Sequence, residues 1–242
     1  MKKIAILQSN YLPWKGVFDL IHRVDIFVFL EDVQYTERDW RNRNKILTSQ
    51  GPQWFSVPVK SSNRRNQLIC EAEIDNETNW QRKHYNMFQI NYGKSLHFKQ
   101  YKWIIDDLYL NQKWEKISDL NIYSTKLIAS VLGLDIQFIN SAELNTSGTK
   151  DDKLIEICKK VNADYYLSGP AARDYIVPQK FIDNNIILDY IDYQYPEYQQ
   201  LHQPFNNFVT ILDLIFNCGQ EAPYYIWDWR ESGNGEGERS YP

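Results

Sequence analysis

The sequence predicts an α/β fold with a Rossmann-like core, a parallel sheet flanked by helices and interrupted by a helical insertion. Three observations predict it. Two short apolar runs, residues 4–7 and 26–30, have the length of buried strands. Between them Val17, Leu20, Ile21 and Val24 recur at helical spacing. Both runs end in polar and aromatic groups, residues 8–16 after the first and 31–35 after the second. An open α/β sheet places its ligand site at such carboxyl ends.

In chain order, residues 3–8 are the first expected strand. Pro13 and Gly16 shape a loop, residues 17–24 a short amphipathic helix, and residues 26–31 the second strand. A strand, loop, helix and strand in about 30 residues suit a right-handed parallel crossover. Gly51 and Pro52 introduce a third strand at 54–59, which Pro58 marks as an edge or irregular end. A shorter fourth strand is expected at 68–74. From 80 to 132 the apolar residues keep helical spacing, and Gly93 and residues 111–113 divide the stretch into three helices. Gly133 stops the last of them. A strand at 136–139, a helix at 150–161, a strand at 165–168, a final strand at 186–193 and a helix at 205–216 follow. The expected organisation is an α/β core from residues 1–75 and 133–217, a helical subdomain at 76–132 and a C-terminal extension at 218–242. The Gly-, Glu- and Ser-rich end, 231–242, is expected to be mobile.

A net charge of −4 argues against a polyanion binder, so nucleic acid is not an expected partner. The local balance differs. From Arg38 to Arg65 there are seven Lys or Arg (38, 41, 43, 45, 60, 64, 65) against one acid, Asp39. Guanidinium groups offer planar, paired donors that suit phosphate oxygens. Cys70, Cys158 and Cys218 lie far apart, which fits a reduced, cytoplasmic setting. The apolar run at the start breaks at Gln8, too early for a signal peptide, and no run has the length of a membrane span. His22, His84, His97 and His202 show no metal-binding spacing, and Asp106-Asp107 and Asp151-Asp152 read as helical surface charge, so no metal motif is expected.

Four stretches carry the candidate chemistry. The first joins Gln8, Asn10, Tyr11, Trp14, Lys15 and Gly16, a strand end leading into a helix whose first N–H groups are unpaired and suit an anion. It contains neither GxGxxG nor GxxxxGK[ST]. In the second, strand alternation puts Asp32 and Gln34 on one side and Glu31 and Val33 on the other, with Tyr35 next. Asp32 then binds a sugar hydroxyl, a metal-bound water or a substrate amine, or caps a turn. The third is the cationic run with Trp40, Arg41, Asn42, Arg43 and Lys45, sized for one nucleotide or pyrophosphate. The fourth, Ser168, Gly169 and Arg173, follows a strand and brings backbone N–H groups toward the same edge. It lacks the GxSxG of a serine nucleophile.

The strings QSNYLPWKGVFDLI, DIFVFLEDVQYTERDWRNRNKI, WFSVPV and ADYYLSGPAARDYI resemble the signature of the WbqC-like family, across roughly residues 3–215. The resemblance implies a cytoplasmic bacterial protein of O-antigen and other surface-polysaccharide pathways, notably those making amino sugars with unusual N-acyl groups. A remoter similarity is to HUP-type nucleotide-binding folds. Their HxGH histidines are absent here, with Gln8, Asn10 and Trp14 in the comparable region. ATP is therefore a candidate cofactor without its usual motif. The expected function is transfer of an acyl or aminoacyl group to the amine of a nucleotide-linked amino sugar. Asp32 is the expected base, with Gln8 and Tyr11 beside it in the catalytic group. Asn10, Trp14, Lys15, Gly16, Gln34, Tyr35, Trp40, Arg41, Asn42, Arg43, Lys45, Ser168, Gly169 and Arg173 are the expected binding groups. The expected partners are that sugar nucleotide and an activated acyl or aminoacyl donor. The alternatives are a non-catalytic nucleotide-sugar-binding or scaffold protein, and a glycosyltransferase.

Overall fold

A computed structural model describes residues 1–62, 64 and 66–232. Arg65 of the basic run and the end of the tail expected to be mobile, 233–242, lie outside the described residues. The chain opens with β1 (Lys3–Leu7), α1 (Lys15–His22) and β2 (Ile26–Phe29). A hairpin of β3 (Arg43–Thr48) and β4 (Gly51–Ser56) follows, then α2 (Trp80–Tyr92), α3 (Phe98–Tyr101), α4 (Trp103–Asp106) and α5 (Ile117–Val131). The chain returns through β5 (Gln137–Asn140), α6 (Lys150–Lys160), β6 (Tyr165–Ser168), α7 (Pro178–Asp183) and β7 (Ile187–Tyr190), and ends on α8 (Ile211–Cys218) and α9 (Trp229–Glu231).

The five core strands run parallel in the order β5-β2-β1-β6-β7. This is the Rossmann-like arrangement that the apolar runs predict. Alternation along the central strands divides two cores. Ile4, Ile6, Ile26 and Val28 pack with Leu154, Ile157 and Phe181 of α6 and α7. Ala5, Phe27 and Phe29 pack with α1, the hairpin and α2 to α5. Strands buried on both faces read as unbroken apolar runs, which is why β1 and β2 are plain in the sequence.

Three expected elements take another form. The third strand falls at β4 and pairs antiparallel with β3, a strand hidden inside the basic run, forming a sheet of its own. Gly51 allows the turn with φ +99°. The expected strand at 68–74 is a 3₁₀ turn, Ile69–Glu71, which the Glu71 carboxylate holds by accepting from Leu68 N at 2.9 Å. Isolated bridges flank it, Gln34 with Leu68, Val59 with Ile74 and Glu73 with Lys116. The last long helix begins at Ile211 instead of 205. Thr210 caps it, and the backbone N–H groups of Thr210 and Ile211 are tied to Lys45 O (2.9 Å) and Pro13 O (3.0 Å). Those ties hold residues 205–209 out of the helix and bring Phe208 to the hairpin. Among the described residues, no helix is long and apolar enough to cross a membrane.

Candidate functional site

The chain builds β1, β2 and β5 outward in one direction, then crosses back to set β6 against the other side of β1. The strand order therefore reverses between β1 and β6. In open α/β sheets the crevice beyond that point is where ligands bind. Gln8, Ser9 and Asn10 leave the sheet there.

Ser9 is fixed by Glu31, the first residue beyond Leu30 at the end of β2. The Glu31 carboxylate accepts from Ser9 N at 3.0 Å and from Ser9 Oγ at 3.1 Å. It also accepts from Ser118, and it is fully buried. Burial pushes its pKa up, while the Ser118 and Ser9 bonds and the Arg41 charge pull it down; burial wins. Asn121 of α5 ties the same knot, donating to Ser9 Oγ at 3.3 Å and to Arg41 O at 2.8 Å. Tyr11 N donates to Trp40 O at 2.8 Å, so segments 8–11 and 40–41 run side by side.

Two cavities lie on either side of these segments, and each takes one residue from both. The larger, about 670 Å³, is lined by Gln8 and Arg41, with Lys150, Asp151, Lys153 and Tyr175 opposite. Its floor is apolar, from Ile6, Leu7, Leu30 and Val33. Arg41 Nη1 is held by Asp39 at 2.8 Å, whereas its Nε is buried without a partner. The smaller, about 240 Å³, is a slot between Trp14, Trp40 and Phe208, with Asn10, Pro13 and Asn44 completing it. Trp40 touches Trp54 at 5.2 Å between ring centres, and Arg43 and Lys45 lie over the Trp54 ring at 4.2 and 4.6 Å.

The cavities thus take up Gln8, Asn10, Trp14, Trp40 and Arg41 of the expected residues, with Arg43 and Lys45 at the rim of the slot. Asp32 stands apart from both. Its carboxylate accepts from Lys153 Nζ at 2.6 Å, from Ser141 Oγ and from Thr146 Oγ1 at 3.4 Å. Burial raises its pKa, but the Lys153 and Ser141 bonds and the Lys153 charge outweigh this and leave it lowered. Tyr11 is fully buried, bonded to His84 Nδ1 at 2.9 Å and Tyr109 OH at 2.5 Å. Burial raises its pKa first, and Tyr109 adds to the rise.

Lys15 points inward and lines neither cavity. Its ammonium sits 4.9 Å from the Tyr195 ring and 5.0 Å from that of Tyr198, near Pro196 O at 3.4 Å. Burial lowers its pKa to about 8, against the opposing pull of Cys218, Asp213 and Glu197. Asn42 binds Val57 O at 2.9 Å and anchors the hairpin. Tyr35 is buried, and its backbone N–H donates to Gln67 O. Gln34 is exposed on its bridge to Leu68. Ser168 is buried against the Tyr166 hydroxyl at 3.2 Å, Gly169 caps the 3₁₀ turn Pro170–Asp174, and Arg173 lies over the Tyr190 ring at 4.8 Å. These residues line neither cavity. Among the described residues no cluster of His, Cys, Asp or Glu could hold a metal ion.

Gly16 has a packing reason. A Cβ there would fall 2.4 to 2.8 Å from the Trp14 ring, which Tyr193, Tyr195 and Phe208 already hold. Gly16→Ala is expected to cost about 1–3 kcal/mol and to tilt the wall of the slot. An unchanged urea midpoint with unchanged tryptophan emission would contradict this.

Residue type alone does not mark Glu31, Phe208, Asn121 or Lys153 as site groups. Glu31 adjoins Asp32, and alternation separates the pair without saying which side is inner. Phe208 and Lys153 arrive from distant chain.

The sequence model of the WbqC-like protein family matches residues 8–225. A protein of Mycobacterium tuberculosis (strain ATCC 25618 / H37Rv) named Uncharacterized protein Rv1507c is 42% identical over 227 residues, covering 93% of this chain and 98% of that one. No solved structure matches. With a fold and a switch-point site built largely from residues inside the matched span, the chain belongs to the WbqC-like protein family.

Proposed function

We propose that the protein is an enzyme of bacterial surface-polysaccharide (O-antigen) synthesis that transfers an acyl or aminoacyl group to the amine of a nucleotide-linked amino sugar. One observation carries the reading. Arg41 faces the crevice at the strand-order reversal with a buried N–H that the protein leaves unpaired, beside the free end of Gln8. Buried donors without partners are rare in folded proteins, and a phosphate oxygen satisfies this guanidinium well. The cleft of about 670 Å³ has the size and apolar floor of a nucleotide-sized pocket.

In this reading the unprotonated amine attacks the carbonyl carbon of the activated donor. The bond from that carbon to the donor's AMP, thiol or carrier oxygen breaks as the amide forms, and the proton lost by the amine leaves with that group or to water. Gln8 donates to the developing oxyanion while Arg41 holds the sugar nucleotide's phosphate. Asp32 is better suited to positioning than to proton transfer, because Lys153 already compensates its charge. The donor is an acyl-adenylate made from ATP, an acyl thioester or an aminoacyl carrier. Incubating the protein with a dTDP- or UDP-linked amino sugar, ATP and a panel of amino acids and acyl-CoAs tests the reading by the mass of the sugar nucleotide. A mass that never changes refutes transfer.

A non-catalytic nucleotide-sugar-binding protein is the second reading, favoured by the ion pairing of Asp32. Calorimetric binding without any change of mass would establish it. Under both readings Arg41→Ala should weaken sugar-nucleotide binding by at least about tenfold, or ~1.4 kcal/mol, while the protein still folds. Unchanged affinity would remove Arg41 from the site.

A further inference from the structure

We propose that the slot between Trp14, Trp40 and Phe208 is a separate subsite for one pyranose ring that carries an anionic substituent. The proposal deepens the nucleotide-linked sugar reading and rests on it for the identity of that substituent. Size separates the two cavities. Pockets for whole small-molecule ligands measure roughly 300–1,000 Å³. The crevice at Gln8 and Arg41 falls within that range, and the slot, at about 240 Å³, falls below it and holds a single ring.

The walls select the kind of ring. Three aromatic side chains line the slot, and Trp14 and Phe208 touch at 5.7 Å between ring centres with their planes inclined by 36°. Trp14 is fixed in that pose by edge contacts from Tyr193 and Tyr195 at 4.9 and 5.9 Å. An angled aromatic surface of this kind suits the C–H groups of a puckered sugar better than the flat stacking face a nucleobase prefers. Polar groups point the same way. Reading a base edge needs several donors and acceptors in one plane. Asn44 has no donor to spare, since its amide donates to Tyr11 O and Leu12 O, and its oxygen already accepts from Lys45 N. Asn10 is left, and the protein gives its side-chain oxygen no partner. One amide oxygen without a partner in the protein is enough to accept from a hydroxyl or an amine.

The rim supplies the charge. Trp40 leads to Trp54, on which Arg43 and Lys45 are stacked, and the Arg43 Nε is buried without a partner. A ring seated between Trp14 and Trp40 has these two cations beside it, where a sugar phosphate places its anion.

Protein labelled with fluorotryptophan tests this, with the Trp14 and Trp40 resonances assigned through Trp14→Phe and Trp40→Phe. Trp40 is 41% exposed, so its replacement spares the core. Methyl glucosaminide should shift both resonances saturably. Glucosamine 1-phosphate should do so at about tenfold lower concentration, and Arg43→Ala should erase that advantage while leaving the methyl glycoside unchanged. Failure of both sugars to shift the two resonances overturns the subsite. So does a stronger shift by UMP or AMP, which would make the slot a base pocket. The probes are monosaccharides, so the two ideas fail separately. A slot that binds sugar in a protein that transfers nothing refutes only the transferase. A protein that acylates its sugar nucleotide while the slot stays silent refutes only the subsite.

Discussion

Lowering the pH from 6.5 to 4 is expected to remove about 3 kcal/mol of folding stability through His84 alone. The imidazole is 6% exposed, walled by Phe55, Trp80 and Tyr109 and bonded to the Tyr11 hydroxyl. Burial is the main cause that holds its pKa down to about 4; the backbone bond at Ser56 opposes it and Lys83 adds slightly. The sign follows. The unfolded chain binds the proton near pH 6.5 and the folded chain only near 4, so the stability from a neutral His84 is complete above 6.5. It is lost as the pH falls through that window. Glu31 works in the other direction, because its raised pKa lets the folded state gain stability on protonation. The measurement is therefore a difference between two proteins, with urea midpoints taken from pH 7 to 4 for the wild type and for His84→Gln. The substitution keeps an acceptor near Tyr11 and removes the titration. Equal slopes for both proteins would show that His84 does not set the acid limit.

Glu31→Ala is expected to destabilise the protein by about 3 kcal/mol. The loss leaves Ser9 N without its acceptor in a dry site and takes a counter-charge from Arg41. Each orphaned buried donor costs on the order of 1–3 kcal/mol, which exceeds the relief from no longer burying a carboxylate. Glu31→Gln separates these effects, since it keeps one acceptor and drops the charge. It should stay within about 1 kcal/mol of the wild type at pH 7. The two variants should also differ in ligand binding. Without Glu31, Ser9 no longer holds Gln8 and Asn10 in their separate cavities, so sugar-nucleotide affinity should fall in Glu31→Ala and persist in Glu31→Gln. Equal stabilities for the two variants would show that the acceptor is not what matters.

The parts of the fold that were legible are those whose burial is local. β1, β2 and β6 are read because both faces of each are covered, so their central residues are apolar or aromatic. β3 is missed because Arg43 and Lys45 alternate with Asn44 and Ile46, and their partner is Trp54 on the next strand. The site divides in the same way. Gln8, Asn10 and Arg41 are placed at the sheet edge by strand ends that the sequence marks. Choosing Asp32 over Glu31 needed Ser118 and Lys153, which arrive from helices about a hundred residues downstream and leave Asp32 already paired. Lys15 looked like a phosphate ligand at a helix start. Tyr195 and Tyr198, at the far end of the chain, turn it into a buried cation.

The position of β1 also bears on how the molecule assembles. Its neighbours are β2, one helix further along the chain, where Ile4 pairs with Ile26, and β6, whose pairing joins Ile4 to Tyr166. The crevice at the strand-order reversal does not exist until that second pairing forms. During synthesis the N-terminal residues must wait for more than half of the chain to emerge before their ligand site closes. Pairings of such long sequence separation form late and slowly. Recovery of ligand binding on refolding should therefore track the final cooperative phase, and fragments ending before β6 should bind nothing even where β1 and β2 have already paired.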